Sequence, residues 1–152
     1  MFHCFISVLV FLSSFTNSGE IVPAFRDSIL QGNATAAVDM ISEDAILMVD
    51  SVLTHDPEQV SRILLYFGLQ IEISEMEEMD GRQLMTEILS SPSVSGAILL
   101  FGISAGEPMI HDDRTFVPVG YGLFGNRETI YLELISDEGI WKIYDFFEIL
   151  PE

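Results

Sequence analysis

The stretch ETIYLELISDEGIWKIYDF, residues 128–146, decides the fold class. In its first half Ile130, Leu132 and Leu134 fall on one face and Thr129, Tyr131 and Glu133 on the other, which is the two-residue period of a half-buried β-strand. Asp137-Glu138-Gly139 then reads as a hairpin turn, because glycine accepts the positive φ that a tight connection needs. Residues 140–149 are dense in aromatic and β-branched side chains, with Trp141 and Ile143 expected on one side and Ile140, Lys142, Tyr144 and Phe146 on the other. The C-terminal end is therefore predicted to be an antiparallel hairpin.

Two earlier strands are expected to join it. One spans residues 115–124 and ends at Gly125-Asn126; the other spans residues 97–104 and is bounded by Ala105-Gly106-Glu107-Pro108. Before residue 96 the period turns helical. Ile21, Phe25 and Ile29 recur behind Pro23 until Gly32, Asn33 caps a short helix over 34–41, and Ser42 caps another with Ile46, Val49 and Leu53 on one face. Asp56-Pro57-Glu58-Gln59 combines an N-cap, a proline at the first helical position and the second half of a capping box, and it precedes the stripe Val60, Ile63, Leu64, Phe67. A second Asp-x-x-Gln box at Asp80 and Gln83 opens a helix carrying Leu84, Met85, Ile88 and Leu89, which Ser91-Pro92 stops. Between the two, residues 69–76 alternate as a half-buried strand would. Helices first and an antiparallel meander last define an α+β chain.

Charge narrows the partners. The chain of 152 residues carries 24 acidic and 6 basic residues, a formal net charge of −18, and the basic residues are scattered singly. Nucleic-acid binding draws its non-specific affinity from clustered Lys and Arg, so no nucleic-acid partner is expected, and anionic lipid heads are disfavoured for the same reason. Hydrophobic residues make up 49%, which sets the chain apart from disordered acidic proteins. The acidic run Glu72, Glu75, Glu77, Glu78, Asp80 reads as a solvated edge or as a surface for a basic partner.

Residues 1–15, MFHCFISVLVFLSSF, form an apolar run followed by the small polar residues Thr16, Asn17, Ser18 and Gly19. This is the pattern of a secretory signal peptide over residues 1–18, although its start carries only His3 and no Lys or Arg. An uncleaved anchor and a first core strand are the alternatives; the run is shorter than the ~20 residues of a spanning helix. On this reading residues 19–152 form one exported domain, periplasmic or extracellular, with no stable membrane span after cleavage. Cys4 is the only cysteine, so the mature chain would lack a thiol for disulfides, zinc ligation or nucleophilic catalysis.

The pattern Gly139-Ile140-Trp141-Lys142-Ile143, following a helical N-terminal half opened by the Phe25 helix and the Gly32-Asn33 turn, resembles the nuclear-transport-factor-like (SnoaL-like) superfamily. The resemblance covers residues 20–149 by order of elements, with few specific residues. It implies N-terminal helices packed on a curved antiparallel sheet, a cystatin-like cone, whose cavity serves as an enzyme pocket in some members and for binding in others. Fold alone does not choose between these.

Candidate site residues are few. Tyr121, Tyr131 and Tyr144 lie on three successive expected strands and, with Trp141, would line a speculative ligand-binding cavity; core packing is the alternative for Trp141 and an outer face or a dimer interface for the tyrosines. His111, Asp112 and Asp113 form a weak metal candidate, since carboxylates suit hard cations, but a solvated acidic turn reads equally from the same residues. His55 beside Asp56 reads as a helix junction, and Asn33-Ala34-Thr35 matches a glycan acceptor. No catalytic residue and no cofactor is assigned. The expected function is an exported, non-catalytic binding or accessory domain for a small molecule or protein, with a homodimer through the sheet open; the alternative is a small-molecule lyase, isomerase or hydrolase using the cone cavity. Expression in a secreting host is expected to release a chain without Cys4, which intact-mass measurement and loss of thiol labelling check.

Overall fold

The computed structural model describes residues 17–152; the leader read at residues 1–18, with His3 and Cys4, lies outside them up to residue 16. Among the described residues, seven helices precede five strands. The helices are α1 (Ser18–Leu30), α2 (Ala34–Asp39), α3 (Glu43–His55), α4 (Pro57–Tyr66), α5 (Ile73–Met76), α6 (Gly81–Ser90) and α7 (Pro92–Phe101). The strands are β1 (Ser104–Ala105), β2 (Met109–His111), β3 (Arg114–Leu123), β4 (Asn126–Asp137) and β5 (Ile140–Phe147). They form one open antiparallel sheet in the order β1-β3-β4-β5, with β2 also pairing β3. The chain is thus α+β, with helices packed on an antiparallel sheet as expected.

Local chemistry explains the helix starts. Asn33, Ser42, Asp56 and Asp80 each accept a hydrogen bond from the backbone N–H three residues on, and Gln83 closes the Asp80 capping box. Three hairpins share one device, a two-residue loop with both residues at positive φ: Asp112-Asp113, Phe124-Gly125 and Glu138-Gly139.

Two expected strands are helical or unpaired instead. Residues 97–104 fall mostly in α7, because Ser91 caps a helix whose first position is Pro92 and Gly102 ends it in the left-handed conformation. A short apolar run such as Ala97-Ile98-Leu99-Leu100 fits either structure by period, and the caps decide. In residues 69–76, Leu69 and Ile71 lie against the helical core without strand partners, and the segment ends in the single turn α5 with Met76 buried.

The core has three parts. Ile29, Ala37, Val38, Ile46 and Leu89 pack among α1, α2, α3 and α6. Leu53, Val60, Leu64, Met76 and Leu84 join α3, α4, α5 and α6. Ile21 and Val22 of α1 meet Val117, Val119 and Leu134 on the inner face of the sheet. A parallel bridge ties the layers together, with Ser42 donating to the Ile143 carbonyl at 2.8 Å and Ile143 to the Met40 carbonyl at 2.8 Å.

α6 approaches α3 backbone to backbone. A Cβ on Gly81 would sit 2.5 Å from the Ile46 carbonyl oxygen and 2.8 Å from the Asp50 nitrogen, and the Gly81 N–H donates to Asp50 Oδ1 at 3.0 Å. Gly81→Ala is expected to destabilise by about 1–3 kcal/mol, because backbone cannot yield to it. Gly96 in α7 has open space around it, so Gly96→Ala should be neutral or gain up to about 1 kcal/mol. Paired thermal melts check both.

Candidate functional site

The structure disperses the sequence-predicted residues. Strand alternation and register place Val117, Val119 and Tyr121 on the inner, helix-facing side of β3, opposite Leu132, Ile130 and Glu128. Tyr131 pairs with Pro118 and Phe147 and so belongs to the outer side. Tyr144 is the extra residue of a β-bulge, since Glu133 pairs with Asp145 while Leu134 pairs with Ile143. The bulge also returns Phe146 to the inner side, opposite Leu132, where simple alternation expected it to point away. Trp141 packs against the inner-sheet core cluster. The three tyrosines therefore do not converge.

His111, Asp112 and Asp113 close the β2–β3 hairpin, the two aspartates occupying its two-residue loop. His111 Nε2 lies 3.0 Å from the Pro151 carbonyl oxygen and 3.6 Å from Asp112 Oδ2. Among the described residues no group of three or more His, Cys, Asp or Glu side chains is disposed to hold a metal ion, and His111, Asp112 and Asp113 form no such group. Asn33 is exposed, with its side-chain oxygen capping α2.

The outer sheet face holds an ion pair that sequence reading missed. Arg114 donates to both carboxylate oxygens of Glu133, whose side chain is buried. Its guanidinium stands 5.1 Å from the Phe116 ring centroid and 5.4 Å from that of Phe147. The bond to Glu133 raises the Arg114 pKa further above its already high ordinary value. The pair joins the start of β3 to β4 across the outer face of the sheet.

Two grooves remain. The sheet-side groove, about 280 Å³, lies between the end of α7 and the inner sheet face and is lined by Phe101, Ile103, Val119, Tyr121, Ile130 and Phe146 together with Glu148. The Tyr121 hydroxyl donates to Glu128 Oε2 at 2.9 Å. That bond, followed by partial desolvation, raises the Tyr121 pKa above the ordinary tyrosine value.

The helical groove, about 340 Å³, runs between α3, α4 and α6, and every side chain lining it is apolar. Met48 and Val52 come from α3, Ile63 from α4, Met85 and Ile88 from α6. Met48 is 58% exposed, Val52 51% and Ile63 44%, so these side chains form an outer wall instead of filling the core. Leu47, Leu65 and Tyr66 are exposed on the same helices. The signal was present in α3, whose Ala45-Ile46-Leu47-Met48-Val49 run is apolar beyond the single face that core packing uses.

Comparisons with protein-family models, with curated proteins and with solved structures returned no match. Among the described residues no single helix is long and apolar enough to cross a membrane.

For Tyr121, folding raises the pKa, so the contact contributes fully below the unfolded value of ~10 and fades as pH rises through the folded one. Ultraviolet titration should show a late tyrosine that Glu128→Gln moves to lower pH and Tyr121→Phe deletes.

Proposed function

We propose that the chain is an exported, non-catalytic binding or accessory domain of the nuclear-transport-factor-like kind, and that it works as a protein-docking module through the groove between α3, α4 and α6. The observation that carries this reading is the lining itself: apolar side chains from three helices, several of them about half exposed, in one concavity. Leaving such surface in water forfeits about 25 cal/mol for each Å² that a partner would cover, and contiguous apolar patches on folded chains mark interaction sites. The groove is a trough walled by three helices whose outer side chains face water, a shape that suits a helix more than an enclosed small ligand.

The alternative, a small-molecule lyase, isomerase or hydrolase, has one observation in its favour, the Tyr121–Glu128 hydrogen bond beside the sheet-side groove. Acid–base chemistry asks for further polar groups converging there. His111 is engaged at the far hairpin, Tyr131 lies on the other side of the sheet, and Tyr144 sits in the bulge.

The groove reading is tested with the neutral apolar dye N-phenyl-1-naphthylamine. Its fluorescence is expected to rise with the full chain and to lose most of that rise in Val52→Asp and Ile63→Glu, both checked for retained helix content by circular dichroism. Tyr121→Phe should leave it unchanged. An enhancement that survives both groove substitutions, or that disappears with Tyr121→Phe, overturns the reading.

A further inference from the structure

Resting on the groove reading above, we infer that the occupant is a cationic amphipathic helix of a partner protein, with its apolar side chains in the α3–α4–α6 trough and its Lys and Arg residues on an acidic rim. The trough's length sets the shape. α3 contributes Met48 and Val52, α4 contributes Val60 and Ile63, and α6 contributes Leu84 and Ile88. Each pair is three or four residues apart, so each helix lends about one turn, roughly 5–6 Å of axis. A partner helix matches that with two or three apolar side chains at i, i+3 or i+4 and i+7. Met48 and Met85 supply adaptable walls, because methionine re-packs around irregular shapes at little cost.

The rim sets the sign of the charge. Asp56 caps α4 one turn before Val60 and Glu87 follows Leu84 by three residues on α6, both exposed; Asp44, one turn before Met48 on α3, is exposed as well and also borders a second groove with Ile135, Asp137 and Lys142. From residue 39 to residue 91 the chain has twelve acidic residues against Arg62 and Arg82. Arg82 is held by Asp39 at 2.7 Å and Glu43 at 2.6 Å, and Arg62 Nε donates to the Glu58 carbonyl at 3.4 Å. The field around the groove is therefore negative, and it speeds and orients the approach of a basic partner.

The same field weighs against other occupants. A second copy would bring another formal charge of −18 to the interface. The apolar segment at residues 1–15 would fill the trough but, having no Lys or Arg, would leave the rim unmatched. An anionic bilayer or nucleic acid would be repelled.

Fluorescent 18-residue peptides test the inference on the full chain. The first alternates Leu and Lys at amphipathic-helix spacing, the second carries Gln for every Lys, and the third keeps all Lys but replaces Leu by Ser. Anisotropy titration at low salt should show the Leu/Lys peptide binding at least about tenfold more tightly than either other peptide, a difference of about 1.4 kcal/mol. Ile63→Glu should abolish that binding. Asp44→Asn with Glu87→Gln should weaken it several-fold while leaving the dye signal of the helical groove unchanged.

Equal binding of the Leu/Gln peptide overturns the cationic assignment while leaving the groove function standing. Binding of the Leu/Lys peptide that survives Ile63→Glu shows attraction to the acidic surface alone and overturns the inference. Failure of every peptide with the dye signal intact overturns it as well. The functional reading itself falls on the dye outcomes given for it above, such as a signal that no longer depends on Val52 and Ile63.

Discussion

One helix has to serve two cores. α1 presses Ile21 and Val22 against Val117, Val119 and Leu134 of the sheet, and two turns further on it turns Ile29 into the cluster formed with α2, α3 and α6. Ile21 is completely buried and Val22 and Ile29 nearly so, and burying each such side chain contributes about 1.5–3 kcal/mol. Without this contact the inner face of the sheet would lose its main cover and the helical layer its principal attachment. The bridge between Met40–Ser42 and Ile143 is a second fastening, but a backbone one, short and placed where α2 hands over to α3. The helical groove depends on this frame because α3 and α6, which form two of its walls, pack on the far side of the cluster that α1 anchors.

The basic residues show how an acidic chain uses its few cations. Arg26 bonds Asp27 and reaches the Ile103 carbonyl, Arg82 spans Asp39 and Glu43, and Arg114 is bidentate to Glu133. Arg127 reaches the Gly102 carbonyl and Ser104 Oγ, and the Lys142 ammonium donates to the Asp39 carbonyl. Most of these contacts join segments distant in sequence. Positive charge is thus engaged in fastening the molecule, largely at its surface, and 24 acidic residues against 6 basic ones still leave the whole negative.

Local rules in the sequence were reliable wherever one residue does one job. Asn33, Ser42, Asp56 and Asp80 cap as their side chains suggest, Glu138-Gly139 turns the last hairpin, and Trp141 and Ile143 share the inner face. Failures came where an apolar run fits two periods, as in residues 97–104, or where alternation has no partner strand, as in residues 69–76. Phe146 lies on the side opposite to the one simple alternation predicts, because a bulge at Tyr144 shifts the register by one, which no single-strand pattern reveals. The Arg114–Glu133 pair depends on the β3–β4 register across nineteen residues. The groove was hidden differently: its stripes on α4 and α6 were legible, but they read as core until the structure showed Met48, Val52 and Ile63 facing water.

The edge strand beside β3 is broken in two. β1 has two residues and β2 three, and Gly106-Glu107-Pro108 interrupts the ladder between them, with Pro108 unable to donate a hydrogen bond and a Cβ at Gly106 only 2.8 Å from the Pro118 ring. On the opposite side the Met40–Ser42 strap occupies β5 at Ile143. Neither margin offers a long, flat row of free backbone groups for another chain to copy. What the molecule offers to other chains is therefore mainly exposed apolar side chains, and little free strand edge.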